Sequence, residues 1–319
     1  MEERNLPPAQ GGNRRRSIFD QPRKAVSGMV FSGAVIGMLV ITLIYSITLA
    51  ALSSALGKTV GELSETQVYK YLSYLLYQIV YIAVIFAFVG IYKCSWAGIG
   101  WKKTSFVYLL LAVPLAFGLL FSLNWVNELF VRLLSLFGYT APEASLPSMA
   151  GGGFVGVLIV AALFPAVLEE TLLRGAVLEG IKDIGTVATC LLGGLLFSLF
   201  HQSPTQTVYQ FICGAVFTLL ALRAGSVWPS VIAHFLNNAF ILFDYKFGFL
   251  AGISKGGAIA LYVLSALCLL AVLVYLIFFD RKTNRKKEGA IRPFLYPALP
   301  GIILCGLMWI FNLASGFGG

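Results

Sequence analysis

The chain is written in long apolar runs separated by short polar breaks. A hydrocarbon core of about 30 Å takes roughly 20 helical residues per crossing. On that ruler nine runs qualify: about 29–55, 68–92, 106–123, 154–182, 185–204, 207–222, 227–243, 256–279 and 295–315. Because backbone groups in lipid must be satisfied within the segment, the pattern predicts an all-α fold: a polytopic transmembrane helical bundle of about nine spans, eight to nine. Residues 1–26 are polar and basic. The apolar run that follows is longer than the roughly 7–15 residues of a signal-peptide core, so it reads as a retained helix. The chain thus divides into a basic cytoplasmic N-terminal segment, 1–26, and a bundle over 27–315. The stretch 125–137 is amphipathic and too short to cross, which places it along the outer interface. It leads into a loop over 139–153 carrying Pro142, Pro147 and three consecutive glycines. Gly33 and Gly37 form a G-x-x-x-G suited to close helix packing. No internal repeat supports an inverted-repeat transporter.

Composition agrees with this pattern. Apolar residues make up 58% of the 319 and charged residues only 12%, against about 45–50% and 25% in a soluble domain. That excludes a water-soluble protein, and the apolar richness excludes disorder. Five cysteines (Cys94, Cys190, Cys213, Cys268, Cys305) stand far apart with no C-x-x-C pair, so neither a disulfide framework nor a zinc knuckle is indicated. The net charge of +9 resolves once the basic residues are sorted by segment. With the N-terminus inside, the outer segments hold only Lys58, Lys70, Arg132, Lys246 and Lys255 of the 23 Lys and Arg. The others fall on inner segments, Arg174 being counted among them. This split follows the positive-inside rule and predicts N-in, C-out. The basic excess is a topology signal, and nucleic acid is not needed to explain it.

Charge inside a span costs roughly 2.5–3.5 kcal/mol per group on insertion scales and marks function by default. The protein's two histidines, His201 and His234, both fall in apolar runs, and Glu169 and Glu170 sit together in the fourth, followed by Arg174. Glu170 and Arg174 are i and i+4, acid before base, on one helix face; this spacing predicts a structural pair. Glu169 points about 100° away and has no local counter-charge, which makes it the candidate general base. Spans four and five form a hairpin about Gly185. Glu169 lies as far before that turn as His201 lies after it, so the two come to equal height, roughly 24 Å from the turn. His234 and Asn238, i and i+4 in the seventh span, share a face roughly 12–18 Å from its turn near Ser226, and Asn237 faces the same neighbourhood. Singly, each feature reads as helix-packing glue: a histidine as an interhelical hydrogen-bonder, Glu170–Arg174 as a brace, His234 and Asn238 as packing contacts. Together they describe a polar pocket inside the bundle.

Three motifs run in order on successive helices. Glu169-Glu170-Thr171-Leu172-Leu173-Arg174 matches E-E-x-x-x-R, Phe197 to His201 matches F-x-x-x-H, and His234 to Asn238 matches H-x-x-x-N. This ordered set resembles the CPBP (Abi) family, which contains the type II CAAX prenyl endopeptidases and bacterial proteins linked to bacteriocin processing or self-immunity. The resemblance covers about a quarter of the chain, with a catalytic core at about 154–244. It implies an intramembrane peptidase of a bacterial cell membrane acting on a membrane-anchored or lipidated protein or peptide. By motif match Glu169 activates water, His201 positions or polarises it, and His234 and Asn238 hold the oxyanion; Glu170, Arg174 and Asn237 support them. The family is described both as metal-free glutamate peptidases and as metalloproteases. A zinc ion, if present, would sit on Glu169, His201 and His234, although the usual H-E-x-x-H is absent. Two other readings compete: a non-catalytic scaffold or self-immunity factor, and a proton- or ion-coupled transporter. The inner turns beside spans four, five and seven point to access from the cytosol.

Overall fold

The computed structural model describes residues 23–142, 145–280 and 290–317. Residues 1–22 of the basic N-terminal segment, and the basic stretch 281–289, lie outside the described residues. Nine long helices run through the described part: α1 (Arg23–Leu56), α2 (Gln67–Tyr92), α3 (Phe106–Ser135), α4 (Gly153–Ile181), α5 (Thr186–Phe200), α6 (Thr207–Ala224), α7 (Trp228–Phe247), α8 (Lys255–Phe279) and α9 (Arg292–Ser315). Among the described residues there is no strand. The protein is all-α, an integral membrane protein, and the nine helices stand where the apolar runs predicted them.

Seven of the nine are long and apolar enough to cross a membrane. The two exceptions carry or adjoin the candidate site. α5 is apolar but has only 15 residues, about 22 Å at 1.5 Å per residue, short of a hydrocarbon core. α7 has 20 residues, but His234, Asn237, Asn238, Asp244 and Lys246 interrupt its apolar sequence. A helix end inside the membrane is tolerated only where it is buried in protein or lines a cavity. That is where α5 ends, at His201.

The amphipathic stretch 125–137 is not a separate interfacial element. Most of it continues α3 without a break to Ser135. One polar side chain of that stretch, Asn127, instead faces a cavity in the bundle, as does Asn124 just before it.

α4 lies at the centre, packed by α1, α2 and α7. Gly185 at φ +97° turns it into α5, and Gly225 at φ +60° turns α6 into α7. α5 and α6 approach so closely that a β-carbon on Gly214 would come within 2.9 Å of the Gly194 α-carbon. α3 backs the bundle against α6, α7 and α8.

α1 and α9 form the other intimate pair, but not through the expected G-x-x-x-G. Gly33 faces open space, and Gly37 meets Val80 on α2. The close approach lies one turn earlier, where Gly28 and Ser32 meet α9. Ser32 Oγ donates to Pro297 O at 2.6 Å and accepts from Gly301 N at 3.0 Å. The hydroxyl therefore sits inside the i→i+4 ladder of α9, a known way to bend a helix. A β-carbon on Gly301 would lie 2.8 Å from the Ser32 α-carbon.

Overpacking such a contact costs about 1–3 kcal/mol. Gly301→Ala should therefore lower the thermal midpoint in detergent by several degrees, while Gly33→Ala should leave it at the wild-type value. Equal midpoints for the two variants would show that the α1–α9 contact is not a packing constraint.

Candidate active site

The site is built around a change of helical pitch in α4. Residues Ile159–Leu163 and Thr171–Val177 form π turns on either side of an α-helical stretch, Phe164–Glu170. Pro165 has no N–H to give the carbonyl of Ala161 four residues back, and Asn238 Nδ2 on α7 reaches that carbonyl at 3.5 Å. π turns concentrate at functional sites because they re-aim the side chains around them. Here the two turns frame Glu169 and Glu170.

Glu170 is the hub. Arg174 Nη1 donates to its Oε1 at 2.7 Å, with both side chains almost fully buried. His234 Nδ1 lies 3.1 Å from the same oxygen, and because a carboxylate only accepts, the histidine donates there. The second arm of the guanidinium donates to Gly214 O on α6 at 3.0 Å. Its carbon lies 4.4 Å from the centre of the Phe197 ring on α5. One ion pair thus ties α4 to α5, α6 and α7. Arg174, expected among the inner-segment charges, is buried in this network rather than at a membrane face.

Phe197 explains the first position of the F-x-x-x-H motif. Its ring packs edge-on against His201 (4.7 Å between centroids) and His234 (5.7 Å). Its carbonyl accepts from His201 Nδ1 at 2.8 Å. A carbonyl only accepts, so the proton is on Nδ1 and the Nε2 of a neutral His201 ring offers a lone pair.

Glu169 lies on the other side of α4. It is buried, and among the described residues no donor reaches its Oε2. Glu169, His201, His234, Asn237 and Asn238 all line one cavity of about 1090 Å³. The structure thus brings together the side chains singled out in the sequence, with Glu170 and Arg174 bonded behind them. The two asparagines differ. Asn237 is tied at both ends of its amide: Tyr209 Oη donates to its Oδ1 at 2.5 Å, and its Nδ2 reaches Asn238 Oδ1 at 3.4 Å. Asn238 is left with an Nδ2 held only by the long contact to Ala161 O.

Much of the wall was not anticipated. Tyr74, Tyr77, Gln78 and Tyr81 line it from α2, Asn124 and Asn127 from α3, and Gln202, Gln206 and Gln210 from the α5–α6 corner. Gln78 Oε1 and Asn127 Oδ1 are buried without a partner among the described residues. A signal was present: positions 74, 77, 78 and 81 are i, i+3, i+4 and i+7, a polar stripe on an otherwise apolar helix. The cavity also lies at the end of the bundle away from the 182–185 turn, not beside it. Lining residues Ser145, Gln206 and Leu250 belong to the opposite connections, whereas the sequence pointed to access beside the inner turns. The reason is depth: Glu169 and His201 stand too far from that turn.

Among the described residues no three His, Cys, Asp or Glu side chains are arranged to hold a metal ion. Glu169, His201 and His234 therefore do not fit as a zinc-ligand set in this arrangement.

Removing one partner of a buried ion pair leaves an uncompensated charge and costs about 3–5 kcal/mol. Arg174→Met should destabilise the protein by that order in detergent unfolding. Arg174→Met combined with Glu170→Gln should recover much of the loss. A double variant no more stable than the single one would mean that the pair is not the buried charge at stake.

No curated protein and no solved structure matches the chain. Residues 151–240, nearly the whole of α4 to α7 and thus the stretch bearing the three motifs, match the family model described as type II CAAX prenyl endopeptidase Rce1-like. Over that stretch the chain is similar to the type II CAAX prenyl endopeptidases.

Proposed function

We propose that the protein is an intramembrane endopeptidase of the glutamate type, hydrolysing a peptide bond in a membrane-associated substrate. The observation that carries this reading is the unpartnered Glu169 carboxylate on a large, amide-lined cavity inside a membrane bundle. A water between Glu169 and His201 meets two acceptors, a carboxylate oxygen and the lone pair of Nε2. Glu169 takes one proton as the oxygen attacks the scissile carbonyl carbon. The oxyanion is held by Asn238 Nδ2, and by His234 Nε2 when that ring is doubly protonated, its Nδ1–H being committed to Glu170. Collapse breaks the C–N bond, and the proton on Glu169 passes to the departing nitrogen, giving a carboxylic acid and an amine.

The same geometry divides the supporting roles. Glu170 and Arg174 position His234, and Asn237 positions Asn238 by occupying its Oδ1. A purely bracing role accounts for Glu170, Arg174 and Asn237, but not for a buried Glu169 that braces nothing. A transport path is disfavoured by the far half of α4, where Thr171–Val177 are all buried and all but Thr171 lie clear of any cavity lining, Thr171 itself being absent from the wall of this one.

The test is cleavage of internally quenched, acyl-anchored peptides by the purified protein in liposomes. Glu169→Gln and His201→Ala should reduce the rate at least a thousandfold with the fold intact. Asn238→Ala should lower kcat about 10²–10³-fold, the cost of one oxyanion donor, and Asn237→Ala should cost less. A chelator should leave the rate within twofold. Wild-type rates in well-folded Glu169→Gln would refute the peptidase. Loss on chelation that is restored by zinc would refute the metal-free mechanism.

A further inference from the structure

We infer that the cavity receives its substrate from the extracytoplasmic face of the membrane. The substrate class is then a peptide segment that has already crossed the bilayer or is anchored on its outer side. This rests on the peptidase reading for what enters, but the side from which it enters is argued independently.

The cavity is one-ended. From mid-depth, where Met38, Tyr81, Glu169 and His234 stand, the rest of the lining runs towards one end of the bundle: the first half of α2, the second half of α3, the first half of α4, the end of α5, the start of α6 and the last turns of α7 and α9. Beyond those ends the wall continues into three connections, through Ser145 before α4, Gln206 between α5 and α6, and Leu250 after α7. Ser145, Gln206 and Leu250 are exposed, so the mouth is there. At the other end the fully buried Thr171–Val177 stretch stands in the way, and Trp101 Nε1 donates to Thr171 Oγ1 at 3.0 Å, fastening the 93–105 connection across it.

The charge of the two ends differs sharply. The mouth end carries Lys58, Lys70, Arg132, Lys246 and Lys255, offset by Glu62, Glu65, Glu128 and Asp244. Lys70 is paired to Glu65 at 2.8 Å, and Lys246 Nζ is occupied by Met149 O at 2.6 Å. The closed end carries Arg23, Lys24, Lys93, Lys102, Lys103, Lys182, Arg223 and Arg292, and the sequence joining α8 to α9 adds Arg281, Lys282, Arg285, Lys286 and Lys287, against only Glu179, Asp183, Asp280 and Glu288. Short connections rich in Lys and Arg stay in the cytoplasm. The closed end is therefore cytoplasmic, and the mouth opens outward.

What the mouth would admit follows from its wall. Gln78, Asn124, Asn127, Gln202, Gln206 and Gln210 offer both donors and acceptors and no fixed charge. That chemistry matches the alternating N–H and C=O groups of an extended, uncharged peptide main chain.

Two measurements test this separately. In the first, Gln206→Cys and Lys103→Cys are made in the full chain, and labelling of intact cells by a membrane-impermeant maleimide is compared with the parent. Gln206→Cys should gain at least tenfold over the parent, and Lys103→Cys should gain only after permeabilisation. The reverse pattern overturns the inference. In the second, acyl-anchored quenched peptides are added to right-side-out and to inverted sealed vesicles. Glu169-dependent cleavage should occur in right-side-out vesicles and fall at least tenfold in inverted ones; cleavage confined to inverted vesicles overturns the inference. If neither orientation, nor detergent-solubilised protein, cleaves any peptide, the peptidase reading fails while the labelling result still decides the side.

Discussion

A carboxylate shared by an arginine and a histidine, in the middle of a membrane bundle, is the constraint from which the rest of the site follows. Lipid offers no water to hydrate an ion, so a buried charge persists only if protein groups replace that hydration. Glu170 does this with Arg174 and His234, and Arg174 completes its own shell with Gly214 O and the face of Phe197. Each partner comes from a different helix. Satisfying the charge therefore fixes α5, α6 and α7 around α4, and the orientation of His234 comes with it.

The neighbouring Glu169 is the exception that this arrangement permits. Its helix is held rigidly by Glu170 one residue away, so its carboxylate can face the cavity without a partner. The short α5 belongs to the same logic. A helix of 15 residues cannot reach across the hydrocarbon, and its C-terminal carbonyls would be stranded in lipid. They end instead at the cavity wall, where Phe197 O takes the His201 imidazole, Ser198 O accepts from His201 N, and Ser198 Oγ donates to Thr207 O at the start of α6. A shortfall in length places a histidine at mid-depth.

The helices and the central side chains were legible in the sequence, for physical reasons. The bilayer sets a fixed length for apolar runs, and it makes every intramembrane charge conspicuous, so Glu169, Glu170, Arg174, His201 and His234 stood out. Counting from Gly185 put Glu169 and His201 at one height because hairpin geometry needs only the rise per residue. What was not legible depends on contacts between distant segments. Gly33 and Gly37 had the spacing of a packing motif, yet the tight contact falls at Gly28 and Ser32, because α9 and its prolines decide where α1 can approach. Asn127 looked interfacial on local pattern alone; only the folded bundle shows α3 continuing past it, with Asn127 and Asn124 facing the cavity. The amides of the wall are neutral, so no insertion penalty drew attention to them.

The Ser32 hydroxyl threaded into the backbone ladder of α9 has a consequence for how the molecule is made. α9 packs chiefly on α1, the first helix described, and it also supplies Met308 and Asn312 to the cavity wall. During synthesis α1 enters the membrane well before α9, and the Gly28 and Ser32 contacts with α9 form only once α9 emerges. The cavity wall is complete only when α9 has joined α1, so a chain stalled before α9 carries the motifs without Met308 and Asn312, part of the wall that gives them a surface to act on.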